Sequence, residues 1–238
     1  MKKSYLKIIA VLVIVLLASV SMFAQEDPVD VSRSRSAPAE EASGGGGGSR
    51  GGGMMFAVKV GIGISNIFES YPDSDVKTGY GFKFSWQIGA RLGYFFGPIG
   101  IMVDVEYIRK GSSTDDYYYG GYDKITFNLD YIDVNLMFAV KFGNIFAGLG
   151  IYAGFKINSN LEINDVDQGS AEYFKDVDFG LVLTVGMKFG MFFVGLDIKY
   201  GFTDIVEQSY KDIYYHPDDR DVKTKNWGLY LNFGLVLM

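Results

Sequence analysis

Twelve charged residues share one phase of an alternating pattern, and their types and spacing could do chemistry. Lys59, Lys83, Arg91, Lys141, Lys156, Lys188 and Lys199 stand with Asp104, Glu106, Asp133, Asp178 and Asp197. Asp104 and Glu106 are two residues apart, so a strand puts both on one face, which suits general acid–base work. The same carboxylates beside lysine and arginine make ion pairs instead, and buried charges persist when they are paired. The one histidine, His216, lies in the run Tyr-Tyr-His-Pro-Asp-Asp. A Ser-His-Asp hydrolase would also need a positioned serine, and no motif supplies one. Carboxylates cluster at Asp73 and Asp75, Asp115 and Asp116, Asp165 and Asp167, and Asp218, Asp219 and Asp221. None of these clusters has the spacing of an EF-hand loop. Gly61 and Gly63 form a Gly-x-Gly with no helix after it, so a dinucleotide site is not indicated. No catalytic, cofactor-binding or metal-binding residue is expected.

Composition narrows the classes further. The chain of 238 residues has no cysteine, which removes disulfides, thiolate metal sites, cysteine nucleophiles and a lipid-modified N-terminal cysteine. Its 22 Lys and Arg against 28 Asp and Glu give a net charge of −6, which argues against nucleic acid as a partner.

The elements that must position the charges are strands. Val58–Ile64 alternates apolar and polar residues, and the alternation runs on strictly from Tyr80 to Phe96. It returns over 101–107, 132–140, 149–155, 177–187, 194–202 and 227–235, which makes eight strands. In the fourth run Ile125, Phe127, Leu129 and Tyr131 are odd-numbered, whereas the apolar set from Ile132 onward is even-numbered. That phase change predicts a β-bulge near Tyr131–Ile132, or else a separate outer hairpin. Tight turns are expected at Gly97–Pro98, Gly143–Asn144 and Gly190–Met191. The other connections, 66–79, 111–124, 158–174 and 204–225, read as long loops.

Volume decides which face points inward. An eight-stranded barrel has an interior only just wide enough for side chains, so roughly forty bulky apolar groups must face out, toward lipid. Tyr94, Phe96, Phe142, Phe189 and Phe192 fall beside the short turns. Tyr80, Phe82, Tyr107, Phe155, Tyr200, Phe202 and Trp227 fall near the long loops, giving two aromatic belts. The fold class is therefore all-β: an eight-stranded antiparallel up-and-down transmembrane β-barrel with short periplasmic turns and long extracellular loops. Its mixed-sign lumen should close into a salt-bridged plug, and its many glycines leave a small gated conduit open as the alternative.

The chain divides into three parts. Lys2, Lys3 and Lys7 before the apolar run Ile8–Leu17 read as a signal peptide over 1–24, cut after Ala24 or Ser21, with an uncleaved anchor as the alternative. Residues 25–53 contain the Gly44–Gly48 run and read as a flexible periplasmic linker, either a tether to a partner such as peptidoglycan or a spacer. Residues 54–238 form the barrel, which export carries to the cell outer membrane.

The stretches Val105–Gly111 (VEYIRKG), Tyr131–Leu136 (YIDVNL), Asp178–Gly180 (DFG) and Lys199–Ile205 (KYGFTDI) resemble the outer-membrane β-barrel domain of PorT-like proteins of Gram-negative bacteria. The resemblance spans Met54 to Met238. It implies the barrel fold and the outer membrane, and some relatives act in protein secretion or gliding-linked export. Fold alone does not transfer function. The expected task is non-enzymatic: a structural or surface-binding barrel, or a subunit of a protein-export assembly. A narrow pore for small solutes is the alternative, and an outer-membrane hydrolase or acyltransferase is the third reading. No cofactor is expected. The expected partners are outer-membrane lipid and a protein bound through the linker or loops, where Tyr117, Tyr118, Tyr119 and Tyr122 join Tyr210, Tyr214 and Tyr215.

Overall fold

The computed structural model describes residues 53–70, 77–79, 81–118, 121–208, 211 and 221–237. The signal peptide, most of the linker, Tyr80 of the outer belt, His216, Tyr119, Tyr210, Tyr214, Tyr215, Asp73, Asp75, Asp218 and Asp219 lie outside the described residues.

Alternating residues become strands whose two faces meet different solvents. The strands are β1 (Gly53–Ser70), β2 (Lys77–Gly79), β3 (Lys83–Phe96), β4 (Ile99–Tyr118), β5 (Gly121–Phe142), β6 (Ile145–Ile163), β7 (Val166–Ser170), β8 (Val177–Phe189), β9 (Phe192–Gly201) and β10 (Lys223–Val236). Eight of them form the wall in the order β10-β9-β8-β6-β5-β4-β3-β1. β1 then pairs with β10 from Ala57↔Val236 to Ser70↔Lys223, and the barrel closes. Every ladder is antiparallel. Closure leaves no open edge in the wall, which a bilayer requires because hydrocarbon cannot satisfy a free N–H or C=O. The short β2 and β7 attach to β1 and β6 beyond the wall.

β9 shows the pattern most simply. Phe193, Gly195, Asp197 and Lys199 are buried, while Phe192, Val194, Leu196, Ile198 and Tyr200 are exposed between them. The same reversal holds around the wall, and Phe142 is 71% exposed. A surface of that kind suits only lipid.

The three predicted turns are present, and Gly97, Gly143 and Gly190 open them at φ of 70°, 59° and 60°. Two-residue hairpins need this left-handed backbone, which glycine adopts without a Cβ penalty.

The other end corrects two expectations. Residues 111–124 are not a loop: β4 and β5 continue as a paired hairpin through Tyr118↔Gly121. Likewise β1 runs on to Ser70, and β6 reaches Ile163 before turning into β7. The phase change at Tyr131 is not a bulge in β5, which pairs with β4 without offset. The irregularity lies in the ladder to β6, where Asp130 pairs Asn158 and Tyr131 pairs Lys156. Ile157 is the extra residue, and it is exposed. Ile125, Phe127, Leu129 and Tyr131 therefore stay on the inward face. The lining itself changes from polar to apolar at that height.

Candidate functional site

The lumen is the place where the predicted chemistry converges, and it is filled in three layers. Beside the short turns, Met55, Phe95, Met102, Met137, Phe146 and Phe193 form an apolar floor. The Phe146 and Phe193 rings meet edge-on with centroids 5.9 Å apart. Lumen glycines house these rings. A Cβ on Gly186 would lie 2.3 Å from Phe146, and one on Gly234 would lie 2.0 Å from Phe193. The space expected of the glycines is occupied at these positions by aromatic side chains from neighbouring strands.

The middle layer is ionic. Lys59 Nζ donates to Asp104 and Asp197 at 2.8 and 2.9 Å and forms an ion pair with Glu106 at 2.8 Å. Arg91 grips Asp104 with two parallel bonds of 2.8 and 2.7 Å, while its guanidinium also lies against Phe146 and Phe193. Lys199 bridges Glu106 and Asp133, the latter at 2.8 Å. Lys110 joins Asp133 at 3.1 Å to Asp178 at 3.3 Å and sits against the rings of Tyr131 and Tyr152. Asp178 also accepts from Tyr152 and Asn226 at 2.9 and 3.2 Å. Four cations and five carboxylates alternate across six strands, all of them nearly free of solvent contact.

This geometry answers the chemical alternatives. Carboxylate oxygens of Asp104, Glu106 and Asp197 lie within 4.8 Å of one another, close enough to share a metal ion. The Lys59 ammonium already stands among them, within 2.9 Å of an oxygen of each. Asp104 and Glu106 do not face an open cleft. Asp104 holds both Arg91 and Lys59, and Glu106 holds Lys59 and Lys199, so the pair acts as ion-pair partners.

The third layer is an apolar cap at the long-loop end. Ile67, Ile108, Leu129, Tyr131 and Tyr230 come from the wall, and Ala171, Phe174, Ile205 and Val206 come from two segments that cross the mouth. Phe174 bridges to Val206, Lys175 N donates to Ile205 O at 2.7 Å, and Glu207 N donates to Tyr173 O at 2.8 Å. Lys156 Nζ donates to Phe174 O. Asp204 fixes the second segment by accepting from Thr224 N at 3.1 Å and Lys211 Nζ at 2.7 Å. Phe174→Ala removes the ring packed on Phe127 and should loosen the cap by about 3–5 kcal/mol. Limited proteolysis of folded barrel in micelles should then cut within 171–176 at least tenfold faster, while the wall stays intact.

All five predicted carboxylates and Lys59, Arg91 and Lys199 join the network. Lys83 is half-buried at the long-loop rim; Lys141 and Lys188 stand at the short-turn rim, Lys141 over the Phe95 ring at 5.8 Å. Lys110 is the network member missed by sequence reasoning, although it shares even parity with Asp104 and Glu106 on β4. The floor and cap were also missed, because Met102, Met137, Phe146 and Phe193 are apolar residues on the polar phase. Among the loop carboxylates, Asp165 pairs with Lys124 at 3.0 Å in solvent and Asp167 accepts from Gly169 N at 2.7 Å. The belts are present as ring pairs: Tyr94–Phe96 at one end, and Phe82–Trp227, Trp86–Tyr107 and Phe68–Tyr200 at the other.

Residues 23–207 match a family described as outer membrane protein beta-barrel domain. Among solved structures, Neisserial surface protein A is 13% identical with a TM-score of 0.44, over 77% of this chain and 98% of that one. OprG of Pseudomonas aeruginosa is 13% identical with a TM-score of 0.39, over 77% and 95%. The attachment invasion locus protein Ail of Yersinia pestis, in complex with the heparin analogue sucrose octasulfate, is 13% identical with a TM-score of 0.34, over 76% and 99%. No curated protein sequence matches.

Proposed function

We propose, for a chain that belongs to the outer membrane protein beta-barrel domain family and resides in the outer membrane, a non-enzymatic task carried by its extracellular face and not by its lumen. The observation that supports this is the contrast between the two ends of β4–β7. Below the outer belt the barrel is packed shut by floor, ion pairs and cap. Above it the sheet continues. β4 runs eleven residues past Tyr107, roughly 35 Å of strand, and ends with Tyr117 and Tyr118 paired to Tyr122 and Gly121. A barrel used only as an anchor has no need of such an extension, whereas a paired hairpin holds binding side chains at low entropic cost.

In its finer form, the hairpin is a docking arm for a protein partner, and the PorT-like resemblance favours a partner in a protein-export assembly. The segment 1–24 directs export, and 25–53 serves as a periplasmic tether to the same assembly. A solute channel has less support. Among the described residues, mixed-sign pairs and two apolar layers fill the lumen, whereas a conducting pore needs a continuous wet path.

Two measurements test this. Single-channel recording of the refolded mature barrel in a planar bilayer should give no steady conductance, with folding confirmed by heat-modifiable gel migration. Stable openings would reverse the reading in favour of transport. A photoreactive residue in place of Tyr118 should give discrete crosslinked protein bands in cells, absent when it replaces lipid-facing Leu149. Identical patterns at the two positions would refute the docking arm.

A further inference from the structure

Along the outward face of β10 the side chains change character in bilayer order: Leu231, Leu229, Trp227, Lys225, Lys223. At about 3.3 Å per residue, Lys225 and Lys223 stand roughly 7 and 13 Å along the strand beyond the Trp227 ring. The register sets this basic pair against β1, where Lys223 pairs with Ser70 and Lys225 with Phe68. Beneath the pair lies the outer aromatic belt, with Phe82 edge-on to Trp227 at 5.4 Å and Phe68 against Tyr200 at 5.6 Å.

The charge around the rim is uneven. On the β4–β6 side the outward Arg109 is held by Asp130 at 2.8 Å, and Lys124 by Asp165. Lys156 and Lys175 stand beside Asp176 and Asp204. Lys223 and Lys225 have no ion-pair partner among the described residues, and Lys223 is exposed. Unpaired ammonium groups one step above an aromatic belt lie at headgroup depth, where lysine presents its charge to lipid phosphate.

We propose that Lys223 and Lys225, on the β10–β1 arc, bind the phosphate of an outer-leaflet phosphorylated lipid, whose apolar chains lie against Trp227 and Leu229. A lipid fits better than a soluble anion because the site is amphipathic. Trp227 and Leu229 continue the same face directly into the hydrocarbon-facing wall. The arc would hold an annular lipid on one side of the barrel only, leaving the β4–β7 side clear.

Full mature chain, wild type and K223Q/K225Q, is refolded into phosphatidylethanolamine vesicles with a trace of lipid A, either bis-phosphorylated or dephosphorylated. Lipid retained on the barrel after mild detergent extraction is counted by native mass spectrometry. Wild type should retain the phosphorylated form about tenfold over the dephosphorylated one. K223Q/K225Q should lose that preference, while K124Q, on the opposite side, keeps it. Both substitutions are at the outer rim, so heat-modifiable migration should be unchanged and loss of retention cannot be a folding defect. Equal retention by wild type and K223Q/K225Q, or equal loss in K124Q, overturns the site. Competition by millimolar inorganic phosphate with no lipid selectivity overturns the lipid assignment and makes it a soluble-anion site.

Discussion

Lys59→Met should destabilise the folded barrel by about 3–5 kcal/mol, the scale expected when one partner of a buried ionic cluster is removed. The side chains are similar in length and volume, so the loss is electrostatic. Asp104, Glu106 and Asp197 crowd their oxygens within 4.8 Å of one another, and the Lys59 ammonium holds them together. Without it, three carboxylates repel one another where water cannot screen them. Arg91 still grips Asp104 and Lys199 still grips Glu106, which leaves Asp197 the poorest in charge, with Arg91 at 3.6 Å and neutral donors in the Thr184 hydroxyl at 2.5 Å and the Gln87 amide at 3.3 Å. Urea titration in micelles, followed by tryptophan emission, gives the free energy. A second change separates causes. Asp197→Asn should recover part of the loss in the Lys59→Met background, although alone it is destabilising. If the double variant is instead worse than either single one, the defect is packing and the ionic account fails.

That cluster was half legible in the sequence. Period two places Lys59, Arg91, Asp104, Glu106, Asp133, Asp178, Asp197 and Lys199 on one face whatever the register, and closure of an eight-stranded barrel turns that face inward. Which charges meet depends on shear between strands. Lys59 on β1 touches Asp197 on β9, 138 positions away, and no pattern along the chain encodes that contact. The cap was illegible for a different reason. Ile125, Phe127 and Leu129 read as an outward apolar face because lipid-facing and cap-facing strands both alternate. Only the unbroken β4–β5 ladder assigns them inward. The hairpin over 111–124 was hidden by its own composition, since Asp, Ser and Gly favour turns and loops, and only the β4–β5 ladder shows them paired as strand.

Gly234→Val should prevent folding, and its rescue distinguishes two meanings of a glycine-rich lumen. A Cβ at position 234 would lie 2.0, 2.4 and 2.7 Å from three atoms of the Phe193 ring, far inside van der Waals contact. The ring has nowhere to go, because Arg91 lies over it at 5.6 Å and Phe146 meets it edge-on. Overpacking a rigid core costs about 1–3 kcal/mol per site, and a clash this deep falls at or beyond the upper end. Gly195 is the control. It is on the same inward phase, but an added Cβ would crowd only the Val185 carbonyl oxygen at 3.3 Å, which a shift of a few tenths of an ångström relieves, so Gly195→Ala should still fold with at most a small loss of stability. If Gly234 is a socket for Phe193, Gly234→Val with Phe193→Ala should refold and regain heat-modifiable migration, because the valine fills what the ring vacates. If the glycine serves a conduit, Phe193→Ala alone should raise conductance and the double variant should not recover folding. The ionic layer above the floor predicts the first outcome: even with Phe193 removed, an ion entering past the short turns meets Arg91 and Asp104 already bonded to each other.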